Sequence, residues 1–161
     1  MLHLRKTLLA ALAVVVAGSS AYAEDKKNPA TTPVPRDAGW VKRHEGFVAI
    51  AKKGEVDVLF LGDSITDGWR GKNGKSVWDK SFAPLHAANF GISGDRTQHV
   101  LWRLQNGELD GITPKVAVLM IGTNNTGSDS AGQIAHGVAA IVKHIQHKSP
   151  HTKVLVLAVF P

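Results

Sequence analysis

The sequence predicts an α/β fold built on a parallel sheet. Three apolar segments, at residues 58–64, 87–95 and 116–125, each run into a glycine followed by small polar residues. The polar ends of successive segments lie about thirty residues apart, which is the length of one strand–helix–strand unit. Strands that alternate with helices in this way are typical of a parallel sheet with right-handed crossovers.

The first 23 residues are typical of a cleaved secretory signal. Two basic residues precede an apolar run at 8–17, and Ala21-Tyr22-Ala23 forms a small-x-small cleavage site. The apolar run is too short to span a bilayer, so we expect no stable membrane anchor. The sequence therefore predicts a secreted or periplasmic protein that begins near Glu24.

The next segments lead from a linker into the domain. Residues 24–39 hold three prolines, several charges and few apolar residues, which predicts a flexible linker. A single domain then follows from residue 40 to residue 161. Residues 40–53 show helical periodicity, with their large apolar side chains on one face. Residues 56–61 form the first strand, and their nearly continuous apolar run is typical of a strand buried on both faces.

The remaining elements continue the alternation of helices and strands. The glycine-rich stretch at residues 67–75 predicts a mobile loop. Strands are expected at 86–90, 116–121 and 154–159, and helices at 76–85, 97–104 and 130–148.

The composition excludes several classes of function. The net charge is +6, and the basic residues are scattered over the chain, which favours a solvated basic surface over a nucleic-acid interface. The chain has no cysteine, so it forms no disulfide and uses no cysteine nucleophile. His144, His147 and His151 are spaced roughly along one helix, but Pro150 breaks that helix, and we interpret them as surface residues rather than metal ligands.

Three polar groups are expected to meet at one edge of the sheet. Parallel strands point their carboxyl ends to the same edge, where open α/β sheets bind ligands. That edge would bring together the hydroxyl of Ser64, the backbone N–H of Gly94 and the side-chain amide of Asn124. A hydroxyl beside two hydrogen-bond donors supplies most of an acyl-transfer site.

The same residues carry a resemblance to a known family. Gly62-Asp63-Ser64-Ile65-Thr66, Gly91-Ile92-Ser93-Gly94-Asp95 and Gly122-Thr123-Asn124-Asn125 resemble the first three sequence blocks of the SGNH (GDSL) hydrolases. Residues 89–104 are similar to the catalytic subunits of intracellular platelet-activating-factor acetylhydrolase, a branch of that family. The resemblance covers roughly residues 40–161. It implies a flavodoxin-like three-layer sandwich and requires no metal or cofactor.

The resemblance also assigns roles to the three polar groups. Ser64 would be the nucleophile, and its own N–H would be one oxyanion donor. Gly94 would donate through its N–H and Asn124 through its side-chain amide. The alternatives are that Ser64 is only a helix N-cap and that Asn124, like its neighbour Asn125, only forms a turn.

Neighbouring residues receive supporting roles. We interpret Asp63 as structural, and we expect Asp95 and Arg96 to order the loop that carries Gly94. The aromatic residues Trp69 and Trp78 either line an acyl pocket or pack in the core and at its rim.

Two departures from the family pattern stand out. The family carries its catalytic Asp and His in an Asp-x-x-His motif that follows one more strand, and no such motif occurs in this sequence. We therefore expect a fold truncated after the fourth strand, with an uncovered edge that favours self-association, such as a homodimer. The second departure is Ser93, which stands where close relatives often have glycine. His99 is a weak candidate for the missing base.

These observations predict an exported serine ester hydrolase that removes small acyl groups, acetyl foremost, from esters such as O-acetylated carbohydrates. The alternative is a catalytically inactive truncated protein, or a module that uses the oxyanion pocket to bind an acyl or sugar ligand. The two differ in whether Ser64 supports turnover.

Overall fold

The computed structural model describes residues 27–159, so the predicted secretory signal at 1–23 lies outside the described residues. Five α-helices and four strands, besides shorter helical turns, are described in this part of the chain. In chain order they are α1 (Ala38–Ala51), β1 (Val58–Gly62), α2 (Ser64–Asp67), α3 (Lys72–Ser81), β2 (Ala87–Gly91), α4 (Thr97–Arg103), β3 (Val116–Met120), α5 (Ala131–Lys148) and β4 (Lys153–Val156).

The four strands form one parallel sheet in the order β2-β1-β3-β4. Gly62 at the end of β1 pairs with Gly91 of β2 on one side and with Met120 of β3 on the other. The strands β1, β2 and β3 therefore end level with one another. As predicted, the loops that follow them leave from the same edge of the sheet.

The two faces of the sheet are covered to different extents. On one face Leu59, Leu61 and Leu119 are fully buried in a single core cluster with side chains from α1, α4 and α5. On the other face Phe60 packs against the rings of Trp78 and Phe82, at the end of α3. Because neighbouring residues of a strand face opposite sides, the fold has the three layers that were expected. Phe60 is only half-buried. The strand β1 is therefore fully buried on one face, whereas burial on both faces was predicted.

The caps explain why the long helices begin where they do. Asp37 accepts a hydrogen bond from the Trp40 N–H at 3.0 Å and so caps α1. Ser130 and Gln133 form a reciprocal capping box at the start of α5, with bonds of 2.8 and 3.2 Å. Such caps satisfy N–H groups that have no partner within the helix.

The prediction of a mobile loop at residues 67–75 is wrong. Most of this stretch is helical, as the end of α2, a 3-10 turn at Gly68–Arg70 and the beginning of α3. Tertiary packing outweighs the low helix propensity of its glycines. The ring of Trp69 packs edge-on against Phe82, with the ring centroids 5.7 Å apart.

Residues 27–37, hereafter the N-terminal strap, pack across α4 and α5. Ala30 is fully buried, and its carbonyl accepts a hydrogen bond from the Thr97 hydroxyl at 2.8 Å. The Asn28 amide donates to the Gln133 carbonyl at 3.2 Å. A Cβ at Gly137 would lie 2.7 Å from the Ala30 carbonyl oxygen, so only glycine permits this approach. Where the sequence predicts a flexible linker, the structure thus shows a packed segment.

The edge strand β4 carries exposed apolar side chains. Leu155 is 52% exposed and Val156 is 46% exposed. Within residues 27–159, no helix combines the length and the apolar character that crossing a membrane requires.

Candidate active site

Ser64 is exposed at the carboxyl end of β1, as the first residue of the short helix α2. The helix is capped by the preceding residue, because the Asp63 carboxylate accepts a hydrogen bond from the Ile65 N–H at 3.0 Å. Asp63 is buried, and this burial raises the pKa of its carboxyl. Since Asp63 fills the capping role, the interpretation of Ser64 as the N-cap is wrong. The Ser64 hydroxyl remains available for chemistry.

Gly94 lies in the loop between β2 and α4, which we name the oxyanion loop after the role that the sequence predicts for Gly94. Its φ is +81°, a conformation that favours glycine. The residue is exposed, so its backbone can approach a ligand. On one side of Gly94, the Ser93 N–H and hydroxyl donate to the Asp67 carboxylate at 3.1 and 2.9 Å.

Asn124 joins the other two segments of the site. It lies in a 3-10 turn just after β3. Its side-chain amide donates to the Asp95 carbonyl at 2.8 Å and lies 3.4 Å from a carboxylate oxygen of Asp63. The amide therefore contacts the residue before Ser64 and the residue after Gly94. The structure brings the three predicted residues to one place.

Asn125 has a different role from its neighbour. Its side chain is fully buried, accepts a hydrogen bond from the Thr97 N–H at 3.0 Å and donates to Asp129 at 2.7 Å. These bonds tie the turn after β3 to α4. Asn124, which is only half-buried, is the asparagine that faces the site.

A network of buried, hydrogen-bonded side chains contacts the oxyanion loop through Asp95. The Asp95 carboxylate accepts hydrogen bonds from Trp40 Nε1 at 2.7 Å and from Arg103 Nε at 3.0 Å. Arg103 also pairs with Glu108 at 2.5 Å, and Glu108 contacts His44 Nδ1 at 2.9 Å. We call these five residues the Asp95 network.

The burial of the Asp95 network shapes its electrostatics. The side chains of Asp95, Arg103 and Glu108 are completely inaccessible to solvent. Burial raises the pKa of Asp95 despite the nearby arginine. For Arg103 the two carboxylates outweigh burial and raise its pKa, so its guanidinium stays charged. The sequence prediction included an ordering role for Asp95 but missed Arg103 and Glu108.

A second group of charged residues contacts the same loop through Ser93. Arg43 donates two hydrogen bonds to the Asp67 carboxylate, at 3.0 and 2.8 Å, and Arg70 donates a third at 2.5 Å. With Ser93, these residues form the Asp67 cluster. Burial alone would raise the pKa of Asp67, but the donors from Arg43 and Ser93 outweigh it and hold that pKa well below its usual range. The hydroxyl of Ser93, the departure noted in the sequence, thus has a partner.

The comparison with known proteins decides the family. A profile of the GDSL-like lipase/acylhydrolase family matches residues 60–161, which is more than half of the chain. The chain belongs to this family.

Individual members of the family show how far the likeness extends. The alpha1 subunit of platelet-activating factor acetylhydrolase IB from Homo sapiens is 44% identical over 141 residues. The human alpha2 subunit is 45% identical over 139 residues. These alignments cover 84% and 83% of this chain but 59% of each relative, so the chain spans less than two thirds of the length of its relatives.

A solved structure from the same family supports the fold. The GDSL-like lipase from Bacteroides thetaiotaomicron superimposes with a TM-score of 0.55 at 26% identity, covering 71% of this chain and 56% of the lipase. The family and the fold predicted from the three sequence blocks are therefore confirmed.

GDSL hydrolysis requires a base for the serine, and His99 is poorly suited to that role. Its Nδ1 accepts a hydrogen bond from the Arg96 N–H at 2.9 Å, so this atom is occupied in shaping the start of α4. Burial, reinforced by the positive charges of Arg36 and Arg96, lowers the pKa of His99 to about 4. A histidine with so low a pKa is a weak proton acceptor.

Two cavities are lined by the tryptophans that were considered for an acyl pocket. One, of about 390 Å³, is lined by Ile65, Trp69 and Val77 among others and begins at the residue next to Ser64. The other, of about 340 Å³, lies between α1, α3 and the edge strand β2, and both Trp69 and Trp78 line it. Of the two tryptophans considered for an acyl pocket, only Trp69 lines the cavity that begins beside Ser64.

Metal binding was not expected from the sequence. Among the residues that the structure describes, no three His, Cys, Asp or Glu side chains are grouped in a way that would hold a metal ion.

Proposed function

We propose that this protein is an exported serine ester hydrolase that removes small acyl groups, acetyl foremost. The observation that carries the proposal is the position of the Asn124 amide, which contacts the residues flanking Ser64 and Gly94. Membership of the GDSL-like lipase/acylhydrolase family supports ester hydrolysis. The preference for acetyl is supported by the similarity to subunits of an acetylhydrolase.

In the proposed reaction the Ser64 hydroxyl attacks the carbonyl carbon of the ester. The N–H groups of Ser64 and Gly94 and the Asn124 amide donate hydrogen bonds to the oxygen that becomes negatively charged. The alcohol leaves, and water then releases the acyl group from Ser64. A base must accept the hydroxyl proton in the first step and return a proton to the leaving alcohol.

We propose that this base is a histidine paired with an aspartate outside residues 27–159. The two could lie on the same polypeptide or on a partner chain that pairs with the exposed edge of β4. Export is proposed from the signal-like features of residues 1–23. We propose that the substrates are acyl esters of carbohydrates. We also propose that the protein self-associates into a homodimer.

The experiment measures hydrolysis of p-nitrophenyl acetate by the protein as its host exports it. We expect Ser64→Ala to reduce turnover to the uncatalysed background. Asn124→Ala should lower kcat by about 10²–10³-fold, the usual effect of losing one oxyanion donor. The matched controls are Ser81→Ala and Asn106→Ala, because both residues are exposed and lie outside the site.

Two results would contradict the proposal. If Ser64→Ala retains the activity of Ser81→Ala, Ser64 is not the nucleophile. If the unmodified protein shows no Ser64-dependent hydrolysis but binds an acetylated sugar, the binding-module interpretation replaces the enzyme. The mass of the exported protein tests the cleavage site, since cleavage after Ala23 would leave Glu24 as its first residue.

A further inference from the structure

The guanidinium of Arg36 lies directly against the oxyanion loop. Its Nη1 donates to the Ser93 carbonyl at 2.9 Å and to the Asp95 carboxylate at 3.1 Å. Both Nη atoms lie 3.3 Å from the point that a Cβ at Gly94 would occupy. The guanidinium therefore packs on Gly94 and contacts the residues on either side of it.

The Ser93 carbonyl and the Gly94 N–H belong to the same peptide group. A peptide group is planar and trans, so its C=O and N–H point in opposite directions. When Arg36 holds the carbonyl oxygen, it also fixes the direction of the N–H. A charged donor on the carbonyl also polarises the peptide and strengthens its N–H as a donor.

Arg36 is itself held in place from two directions. It belongs to the N-terminal strap, which is packed through Ala30 and ends where Asp37 caps α1. Its other partner, Asp95, is fixed by Trp40 and Arg103. The glycine at position 94 leaves the space that the guanidinium occupies.

We infer that Arg36 is a positioning residue for the oxyanion hole, which aligns the Gly94 N–H and strengthens it as a donor. The inference rests on the proposed function in one respect, the use of the Gly94 N–H to stabilise the oxyanion. It adds a residue outside the family blocks, in a segment that the sequence predicts to be a linker.

Stability and catalysis should depend on Arg36 to different degrees. The Arg36 side chain is 30% exposed, whereas its partner Asp95 is completely buried and keeps two other donors when Arg36 is removed. Loss of Arg36 should therefore affect the folded state little. The effect should appear in the transition state, where the negative charge develops on the oxygen that Gly94 contacts.

The test compares Arg36→Ala and Arg36→Lys with Lys148→Ala in the exported protein. Lys148 is the control because it also carries a positive charge paired with a carboxylate, that of Asp110 at 3.0 Å, but it contacts no residue of the site. With p-nitrophenyl acetate, Arg36→Ala should lower kcat about tenfold, less than the 10²–10³-fold loss of a whole donor. KM should stay unchanged, and Arg36→Lys should recover part of the rate.

A second measurement does not require turnover. A phenylboronic acid forms a tetrahedral, negatively charged adduct with an active-site serine, and its affinity reports the strength of the oxyanion hole. Arg36→Ala should weaken this affinity about tenfold, in parallel with kcat. Thermal unfolding of each variant shows whether a change in activity follows a change in stability.

The possible results separate the two proposals. Ser64-dependent hydrolysis with Arg36→Ala equal to Lys148→Ala overturns the role of Arg36 and leaves the proposed function intact. A loss that appears only in KM, or that follows a fall in Tm, also overturns it. Absence of Ser64-dependent hydrolysis overturns the proposed function and this inference with it.

Discussion

Asp67 and Asp95 support the same oxyanion loop in two different environments. Asp95 is completely buried, and its pKa is raised by burial even though it lies beside Arg103. The Asp67 side chain is 14% exposed, and its pKa is held well below the usual range by Arg43 and Ser93, against the opposite effect of burial. The comparison shows that the balance between burial and hydrogen-bond donors, rather than the presence of an arginine, sets the direction of the pKa shift.

The two sites also differ in what they contribute to the molecule. The Asp95 network links α1, the oxyanion loop and α4 within the core, where an unpaired charge would be costly. The arginines of the Asp67 cluster are 37–40% exposed, so water and salt screen their charges. We therefore expect the Asp95 network to determine stability and the Asp67 cluster to adjust the position of the loop.

The largest expected effect comes from removing the buried arginine. Arg103→Met would leave Asp95 and Glu108 buried without their shared partner, which should cost about 3–5 kcal/mol of unfolding free energy. Arg43→Met, the matched change in the exposed cluster, should cost about 1 kcal/mol or less. Urea unfolding followed by circular dichroism measures both. Equal losses would show that burial does not distinguish the two clusters.

The second test uses the pH dependence of stability, which should have opposite signs at the two aspartates. The folded state raises the pKa of Asp95 above its ordinary 3.8, so the stability contributed by Asp95 falls as the pH rises through this raised pKa. The folded state lowers the pKa of Asp67, so its contribution is present above the ordinary pKa and is lost as the pH falls below it.

Urea midpoints between about pH 3 and pH 7 separate these contributions in Asp95→Asn and Asp67→Asn. Relative to the unmodified protein, Asp67→Asn should lose part of the decline in stability at acid pH. Asp95→Asn should instead lose a decline that occurs above about pH 4. Difference curves of the same sign for both variants would contradict the pKa directions given above.

The smallest expected effect concerns the hydroxyl of Ser93. Ser93→Ala removes one exposed hydrogen bond to Asp67 but keeps the one from the Ser93 N–H. The loss of unfolding free energy should be about 0.5 kcal/mol, at the lower end for a hydrogen bond. Denaturant unfolding measures this loss, with Ser81→Ala at an exposed position as the control. A loss as large as that of Arg103→Met would show that the loop depends on its side contact as strongly as on the buried network.

Much of the fold could be predicted because its signals are local. Each of β1, β2 and β3 is a short apolar run that ends in a glycine and polar residues, and α5 begins at a serine followed three residues later by glutamine. The same runs placed Ser64, Gly94 and Asn124 at one edge of the sheet. No alignment of strands was needed, because parallel strands in one sheet share an orientation.

The supporting residues could not be predicted, because their partners are distant in sequence. Arg36 contacts residues 57 and 59 positions away, and His44 contacts a glutamate 64 positions away. The low hydropathy and the prolines before α1 predicted a linker, because the long-range contacts of that segment cannot be seen in the sequence. The Asp67–Arg70 spacing was visible as a helical charge pair, but the glycines around it favoured a loop.

The contact between Arg36 and the oxyanion loop protects the peptide bond after Arg36 from trypsin. Trypsin cleaves after arginine, whose guanidinium must enter an acidic pocket of the protease. Arg36 cannot do so while it is bound to the Ser93 carbonyl and the Asp95 carboxylate. The rate at which trypsin cuts between Arg36 and Asp37 therefore measures how often Arg36 leaves the loop in the absence of any substrate.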